Sequence, residues 1–487
     1  MSSTVDASLS LALHTDLYQL TMAHGYWKLG RHEDEAVFHV TFRSAPFDGA
    51  YAIAAGLGPV ADLIENYHFT ESDIAYLGEL RGSQGQPVFD DGFLQYLSEL
   101  RLTVDIDAVP EGTAVFPFAP ILRVRGPLLH GQLLETALLN ILNFQTLIAT
   151  KAARVCSAAG DDPVLEFGLR RAHGINGGLS ASRAAYIGGC AATSNVLAGK
   201  HFGIPVRGTH AHAWVMVFDG ELQAFDAWAD AMPDHCVFLV DTYDTLEGVR
   251  HAIEVGRRLR ERGSQLAGIR LDSGDLAYLS IEARKLLDDG GFPDAVIVAS
   301  NDLDEHLITS LKGQGAQISV WGVGTRLSTA FDQPALGGIY KLSALRSPGG
   351  EWQPKIKLSE QVIKTSVPGQ LQVMRYEDDD GFVADCIIDE LNPAPDGPEM
   401  IVDPIDPTRR RRLEGNAHPL LQPIFRDGKR VAPAEHIDES RKRTGEQLSK
   451  LHPTIRRIVN PHGYPCGLEL GLHERRMAQI LEAKGHV

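Results

Sequence analysis

Two histidines separated by a single residue are the first candidates for chemistry in this sequence. His210 and His212 lie in the stretch Gly208–Val215, which one arginine separates from the apolar run Ile204–Val206. On an extended backbone, residues at i and i+2 project from one face, so both imidazoles would point to the same side. The pattern indicates a functional pair, and its alternative is an ordinary strand with two hydrogen-bonded polar side chains.

A glycine-rich stretch further along the chain could hold a phosphate. Gly322 and Gly324 flank one residue and are followed by Thr325, which suits backbone amides that cradle an anion. The alternative is a tight turn without a ligand. The glycine-lysine-serine/threonine signature of P-loop proteins does not occur in the sequence, so any ATP used here is held in another way.

Composition and charge limit the classes of function. The chain has 487 residues and a net charge of −17, which predicts several domains and argues against nucleic acid as a partner. Five cysteines without a C-x-x-C spacing fit a reducing compartment, not a disulfide framework or a zinc ribbon. No signal peptide or apolar run of membrane-spanning length occurs, so we expect a cytoplasmic protein without a membrane partner. The run Arg409–Arg412 is expected to be a solvated face.

The elements that must position these groups alternate regularly in the central region. Short apolar strands are predicted at 164–167, 204–206, 237–240, 268–271, 295–298 and 318–320, and helices at 246–260, 276–287 and 302–311. Such an alternation implies a parallel sheet.

Polar groups follow all six of these strands. They are Arg170 and Arg171, Thr209 with His210 and His212, Asp241 with Thr242, Asp272 with Ser273 and Asp275, Ser300 with Asn301, and Gly322 with Gly324 and Thr325. An open doubly wound sheet concentrates its ligand groups at one switch point, whereas a β/α barrel brings the loops after every strand to one mouth. The distribution therefore favours a barrel.

Two regions flank the predicted barrel. Residues 1–130 indicate a mixed α/β domain, with a first helix capped by Thr15 or Asp16 and ended by Gly30. A long apolar helix then runs from Gln132 to Ala159. We predict an N-terminal domain at 1–130, a barrel carrying the active site at 131–345, and a C-terminal region of strands and loops at 346–487 that packs with the N-terminal domain.

Several segments, taken together and in order, resemble nicotinate phosphoribosyltransferase. They are Leu13–Met22, Glu166–Ala172, Gly208–His212, Arg270–Leu276, Gly322–Thr325, and Lys357–Glu360 with Pro368 and Gly369. In combination these motifs are far more specific than any one of them. The C-terminal part of the chain matches less clearly.

The resemblance implies an activity and an architecture. The activity is ATP-assisted transfer of phosphoribose from phosphoribosyl pyrophosphate to the ring nitrogen of nicotinate, which yields nicotinate mononucleotide and pyrophosphate in NAD salvage. The fold is an irregular β/α barrel of the type II phosphoribosyltransferase class, packed against an α/β domain that both ends of the chain form. ATP as co-substrate, Mg²⁺, and a homodimer with shared active sites are further expectations.

The same resemblance assigns the histidine and the nicotinate pocket. His212 is the histidine that ATP would phosphorylate, whereas His210 occupies a variable position of the motif. Nicotinate would contact Tyr18, Thr209 and Arg270, and the planar guanidinium of an arginine suits bidentate recognition of a carboxylate. Nicotinamide lacks that charge, which gives the pocket a way to discriminate.

The resemblance also indicates the phosphoribosyl pyrophosphate site. Its residues would be Gly322, Gly324, Thr325, Ser366 and Arg171. Asp272, a second catalytic candidate, and Asp275 could organise the ribose hydroxyls or Mg²⁺, although acidic residues near strand ends are often only helix caps.

Three alternatives remain open from the sequence. A nicotinamide-preferring transferase is the closest. A metal-dependent hydrolase barrel also uses a His-x-His pair, but it takes further histidines from later strand ends, and His235, His251 and His306 are not at strand ends. The third is a non-catalytic sensor that binds a phosphoribosyl nucleotide.

Overall fold

The computed structural model describes residues 11–395 and 397–485, and the chain divides into two compact units. One unit combines the chain up to Leu147 with the chain from Ala335 onward, and the other is Ile148–Pro334. The central region predicted from the sequence, 131–345, extends beyond the second unit at both ends.

The second unit is built on a six-stranded parallel sheet. In spatial order its strands are Ala192–Thr193, Val164–Glu166, Val320–Val323, Val296–Ala299, Gly268–Leu271 and Val237–Leu239. A parallel bridge between Thr193 and Val206 extends the first edge. No backbone ladder joins that edge to Val237–Leu239 within the described residues, and the predicted β/α barrel is irregular in this sense.

Helices separate the strands of this unit, as a parallel sheet requires. They are Gly174–Ile187, Val196–Phe202, His212–Met216, Glu221–Ala231, Thr245–Glu261, Leu276–Asp289, Glu305–Gly313 and Thr325–Ser328. The strands are mostly apolar and mostly buried, and Phe238, Ile269 and Leu271 are fully inaccessible to solvent. This burial holds the strand ends, and the polar residues after them, in fixed positions.

Some predicted elements of this unit are wrong in detail. The strand at 204–206 is reduced to the single bridge at Val206, and the short strand Ala192–Thr193 was not predicted. The last strand is Val320–Val323, so Gly322 lies inside it, paired with Leu165, and does not follow it. The helix predicted from 302 begins at Glu305, because Asp304 caps it by accepting a hydrogen bond from the Leu307 amide.

Both ends of the chain form the first unit, as predicted. Its antiparallel seven-stranded sheet has the order Gln353–Pro354, Ile339–Arg346, Glu35–Thr41, Leu122–Pro127, Asp105–Ala108, Gln422–Arg426, Lys429–Arg430. A mixed six-stranded sheet has the order Arg410–Arg412, Met400–Val402, Cys466–Glu469, Gly381–Asp389, Leu371–Asp378, Asn416–Pro419. A small third sheet pairs Ala52–Ile53 with Ala114–Val115.

The helices of the first unit fit the sequence signals in part. They are Leu17–Lys28, Leu57–Glu65, Glu71–Glu79, Asp91–Glu99, Leu128–Leu133, Ile437–Lys450 and Leu470–Ala483. The last two were missed in a region predicted to hold only strands and loops. The long apolar helix is Glu135–Ala159, shorter than predicted because the chain breaks at Leu134. None of the described helices is long and apolar enough to cross a membrane.

Candidate active site

His212 lies among three side chains that follow strands of the parallel sheet. Its Nδ1 is 3.1 Å from the Thr242 hydroxyl. Its Nε2 faces two carboxylates, with Asp241 Oδ1 at 3.8 Å and Asp272 Oδ2 at 3.9 Å. The imidazole is 39% exposed, so one side of the ring is accessible to a ligand while the other is held by the protein.

The two carboxylates beside His212 are themselves fixed. Asp241 Oδ2 accepts hydrogen bonds from the Asp272 amide at 2.8 Å and the Ser273 hydroxyl at 2.7 Å. Asp272 Oδ1 accepts from the Ser300 hydroxyl at 2.6 Å. Asp241 Oδ1, by contrast, is buried and has no hydrogen-bond partner among the described residues. A buried acceptor of this kind is costly unless it interacts with a charged or donating group.

Arg270 and Thr209 form a second pair in the same cluster. A terminal nitrogen of Arg270 donates a hydrogen bond to the Thr209 hydroxyl. Burial lowers the pKa of Arg270, while Asp272 and Asp241 oppose that shift. The Nε–H is buried and has no hydrogen-bond partner in the described part of the chain. A guanidinium with a free Nε–H can still bind a planar anion.

His210 does not share a face with His212, so the sequence-based expectation is wrong here. The segment before His212 is not a strand, and Ala211 is the extended residue that caps the helix His212–Met216. This change of backbone conformation turns His212 outward, while His210 is buried at 5% exposure. Among the described residues no group of three or more His, Cys, Asp or Glu side chains could hold a metal ion.

The glycines of the predicted phosphate loop pack against the protein. A Cβ on Gly322 would lie 2.8 Å from the Phe167 ring, and one on Gly324 would lie 3.1 Å from the Phe167 carbonyl oxygen. Thr325 follows as the first residue of the short helix Thr325–Ser328. Close packing alone therefore requires a glycine at position 322, whereas position 324 is less constrained.

Arg171 and Asp275 lie in turns that follow strands of the sheet. Arg171 is exposed at the end of the turn Leu169–Arg171. Asp275 caps the helix Leu276–Asp289, since its side chain accepts a hydrogen bond from the Tyr278 amide at 3.0 Å. Asp275 is therefore committed to a structural contact.

Tyr18 and Ser366 belong to the first unit. Tyr18 is half-exposed in the helix Leu17–Lys28, and its pKa is raised by burial and by the charges of Glu135 and Asp16. The Ser366 hydroxyl accepts a hydrogen bond from the Lys357 amide at 2.8 Å.

Ser366 also lines a small, partly open cavity within the first unit. Three cationic side chains share its wall, those of Arg43, Lys341 and Lys364. The cavity therefore has the charge to attract an anion.

Two members of the His212 cluster were not assigned a role from the sequence. Asp241 and Thr242 were noted only because they follow a predicted strand. Their proximity to His212 depends on the fold, because they lie about 30 residues further along the chain. The cations Arg43 and Lys341 carried no sequence signal of their own.

Solved structures with the same fold define the class of this protein. The crystal structure of human nicotinic acid phosphoribosyltransferase superposes with a TM-score of 0.82 at 32% identity, covering 95% of this chain and 99% of that one. Nicotinate-nucleotide pyrophosphorylase from Pyrococcus furiosus, at 23% identity and a TM-score of 0.69, shares the fold over 92% of this chain. The chain has the type II phosphoribosyltransferase fold.

Sequence comparison narrows the class to one family. Residues 13–143 match the nicotinate phosphoribosyltransferase (NAPRTase) N-terminal domain, 164–380 the NAPRTase family and 370–476 the nicotinate phosphoribosyltransferase C-terminal domain. Nicotinate phosphoribosyltransferase of Bacillus subtilis (strain 168) is 44% identical, and the match covers 98% of this chain and 97% of the relative. The chain is an enzyme and belongs to the nicotinate phosphoribosyltransferase family, which confirms the resemblance found in its motifs.

Proposed function

We propose that this enzyme transfers phosphoribose from phosphoribosyl pyrophosphate to the ring nitrogen of nicotinate, and that ATP phosphorylates His212 in the process. One observation carries the proposal. A carboxylate-binding pair, Arg270 with Thr209, belongs to the same cluster as an accessible histidine flanked by Asp241 and Asp272. The relatives that match this chain over nearly its full length support the same activity.

Arg270 is the group that recognises the nicotinate carboxylate. Its unpartnered Nε–H and a terminal N–H can donate two parallel hydrogen bonds to a carboxylate, and charge-assisted bonds of this kind contribute about 1.5–3 kcal/mol each. Thr209 fixes the guanidinium and Tyr18 contributes to the ring pocket. Nicotinamide offers no negative charge to the same donors.

The surroundings of His212 favour Nδ1 as the phosphate acceptor. A phosphate on Nε2 would lie beside the carboxylates of Asp241 and Asp272, which face that nitrogen, and like charges repel. With the proton held on Nε2 towards those carboxylates, the Nδ1 lone pair attacks the γ-phosphorus of ATP and ADP leaves. The Thr242 hydroxyl beside Nδ1 can then donate to the new phosphoryl group.

In the transfer step, the lone pair of the nicotinate nitrogen forms the new bond to the ribose anomeric carbon as pyrophosphate leaves. We assign binding of phosphoribosyl pyrophosphate to Gly322, Gly324, Thr325, Arg171 and Ser366. The cationic cavity around Ser366 supports this assignment. At Gly322 the glycine also relieves a clash with Phe167, so the case for a phosphate contact is stronger at Gly324.

Mg²⁺ fits one of the two aspartates considered for it. Hard cations prefer oxygen ligands, and Asp272 Oδ2 points into the His212 cluster, whereas Asp275 is used as a helix cap. Asp272 would therefore contact the ion, which neutralises negative charge on the departing pyrophosphate.

A homodimer with shared active sites completes the proposal. Large apolar side chains are exposed on the second unit, among them Val196, Leu197, Met216 and Val217 at 51–78% exposure. Exposed apolar groups in such number support contact with another protein surface. None of the five cysteines forms a disulfide within the described residues, which supports a reducing compartment such as the cytoplasm.

Product analysis tests the activity. Nicotinate, nicotinamide and quinolinate are supplied side by side with phosphoribosyl pyrophosphate, with and without ATP. We expect nicotinate mononucleotide to form fastest, and faster with ATP. A higher rate with nicotinamide would favour the nicotinamide-preferring alternative, and no mononucleotide from any of the three would refute the activity.

A further inference from the structure

His210 occupies a closed aromatic pocket between two residues of the proposed site. Its ring centroid lies 5.1 Å from that of Trp228, 6.0 Å from Phe225 and 6.3 Å from Phe238. At 5% exposure it cannot meet a substrate directly. The chain nevertheless places it next to Thr209 and two residues before His212.

The His210 ring accepts a hydrogen bond from the edge of the parallel sheet. The Leu239 amide donates to Nε2 at 3.3 Å. Leu239 lies in the edge strand Val237–Leu239, whose other side pairs with Gly268–Leu271. Leu239 is fully buried, so without the imidazole its N–H would be left without water or a neighbouring strand, at a real cost in free energy.

Both ring nitrogens are therefore in use. Nε2 carries a lone pair towards Leu239, and Nδ1 faces the Ala211 carbonyl oxygen at 3.4 Å, which requires the proton on Nδ1. Burial agrees with a neutral ring, since it lowers the pKa of His210 to about 4. A metal ligand or a general base needs an accessible lone pair, and His210 has none.

We propose that His210 is a positioning residue. It acts at the seam of the irregular barrel, the outer side of Val237–Leu239, with which no other strand of the sheet pairs within the described residues. There its Nε2 accepts the Leu239 hydrogen bond in place of a strand carbonyl, and this seam bond fixes Thr209 and His212 in the active site. The proposal depends on the proposed function for its kinetic consequences. It assigns a role to a position that the family resemblance leaves variable.

His210 affects contacts on both sides of it along the chain. On its N-terminal side, Thr209 holds the Arg270 guanidinium, and the backbone of Arg270 pairs with Leu239. On its C-terminal side, Ala211 caps the short helix that begins at His212. Loss of the seam bond should therefore disturb the nicotinate pocket and the phosphate acceptor together.

Three variants separate the hydrogen bond from the packing. His210→Gln can place its side-chain oxygen near the position of Nε2, His210→Asn is too short to reach Leu239, and His210→Leu fills the aromatic pocket without an acceptor. Misplacement of a catalytic or substrate-binding group by about 1 Å lowers the rate of the catalysed reaction by up to about 100-fold. For Asn and Leu we expect kcat to fall and KM for nicotinate to rise, each by about 10–100-fold. We expect KM for phosphoribosyl pyrophosphate to change little and His210→Gln to retain most activity.

His130→Leu is the matched control. His130 is also buried, burial also lowers its pKa to about 4, and its Nδ1 also accepts a backbone amide, that of Thr103 at 3.3 Å. It lies in the first unit, outside the residues assigned to binding or catalysis. The control should lose thermal stability as His210→Leu does, with kcat and KM for nicotinate near those of the parent protein.

Nitrogen NMR of ¹⁵N-histidine-labelled protein tests the tautomer independently of turnover, with His210→Gln identifying the resonances. We expect a neutral ring protonated on Nδ1 at pH 7. A ring protonated on Nε2, or an imidazolium, would overturn the proposal, as would parental kcat and KM in folded His210→Asn and His210→Leu. Equal kinetic loss in His210→Gln and His210→Asn would also refute it. If the parent protein fails to convert nicotinate, the proposed function fails, and the tautomer still decides the role of His210.

Discussion

At the scale of single residues, the proposed recognition of the nicotinate carboxylate by Arg270 can be tested by substitution. Its Nε–H has no hydrogen-bond partner within the described residues, while Thr209 occupies a terminal nitrogen. We expect Arg270→Ala to reduce kcat/KM for nicotinate by about 100-fold or more, because two charge-assisted bonds of about 1.5–3 kcal/mol each are lost. The rate with nicotinamide should change far less. Steady-state kinetics with both substrates measures the ratio, and unchanged discrimination would mean that another residue reads the carboxylate.

His212 is the residue for which the chemistry is most directly testable. Label from γ-labelled ATP should appear on the protein as an acid-labile, base-stable phosphate. We expect His212→Asn to abolish this label, since the substitution removes Nδ1, the proposed nucleophile. The same variant should lose nicotinate-stimulated ATP hydrolysis and keep only slow, ATP-independent transfer.

His210→Asn is the matched variant for this experiment, because it removes the neighbouring histidine of the same motif. Its label should still form, although more slowly if the seam bond positions His212. Label retained in His212→Asn and lost in His210→Asn would assign the phosphate to the buried histidine, against the geometry of the two rings.

At the scale of elements, the strand Val320–Val323 and the loop after it require glycine for different reasons. Gly322→Ala would press a Cβ against the Phe167 ring at 2.8 Å, and overpacking of a core costs about 1–3 kcal/mol. Gly324→Ala meets only a carbonyl oxygen at 3.1 Å. We expect Gly322→Ala mainly to lower the melting temperature, and Gly324→Ala mainly to raise KM for phosphoribosyl pyrophosphate. The opposite pattern would remove Gly324 from the phosphate site.

Helices and strands could be predicted from the sequence where the pattern that specifies them involves only neighbouring residues. The strand Gly268–Leu271 is largely buried, with Ile269 and Leu271 on its apolar face, and the prediction matched its limits. Thr70 and Asp73, three residues apart in the sequence, form a capping box at the start of the helix Glu71–Glu79. Such signals depend on neighbouring residues, so one sequence is enough to find them.

Predictions that depended on distant contacts were less successful. The His-x-His pair suggested a strand, but tertiary packing buries His210 against aromatic residues and begins a helix at His212. The grouping of Asp241 and Thr242 with His212 depends on the order of the parallel strands, which no local pattern encodes. The residues named from the family resemblance fall in both units, and the two units share no sheet.

At the scale of the whole molecule, buried histidines make stability depend on pH. Burial lowers the pKa of His39, His130 and His210, to about 4 for the last two. The unfolded chain then binds protons below about pH 6.5 that the folded protein does not bind, so stability is full above pH 6.5 and falls towards pH 4. Each pKa unit corresponds to about 1.4 kcal/mol for one histidine.

Urea unfolding followed by tryptophan fluorescence measures this effect. We expect the midpoint to decrease between pH 7.5 and pH 5. His210→Gln, which cannot titrate, should show a smaller decrease than the parent protein. An equal or larger decrease would mean that His210 becomes protonated in the folded state.

The proposed homodimer with shared active sites makes a prediction about mixtures of two impaired variants. His212→Asn damages the second unit, and Lys341→Ala removes a cation from the Ser366 cavity of the first unit. If each active site takes one unit from each of two subunits, half of a random mixture is heterodimer, and one of its two sites is intact. Co-expression with two different tags should then restore about a quarter of the parental activity. His212→Asn with Arg270→Ala is the control, because both changes lie in the second unit and no intact site can form. Recovery in neither mixture would show that each subunit builds its site alone.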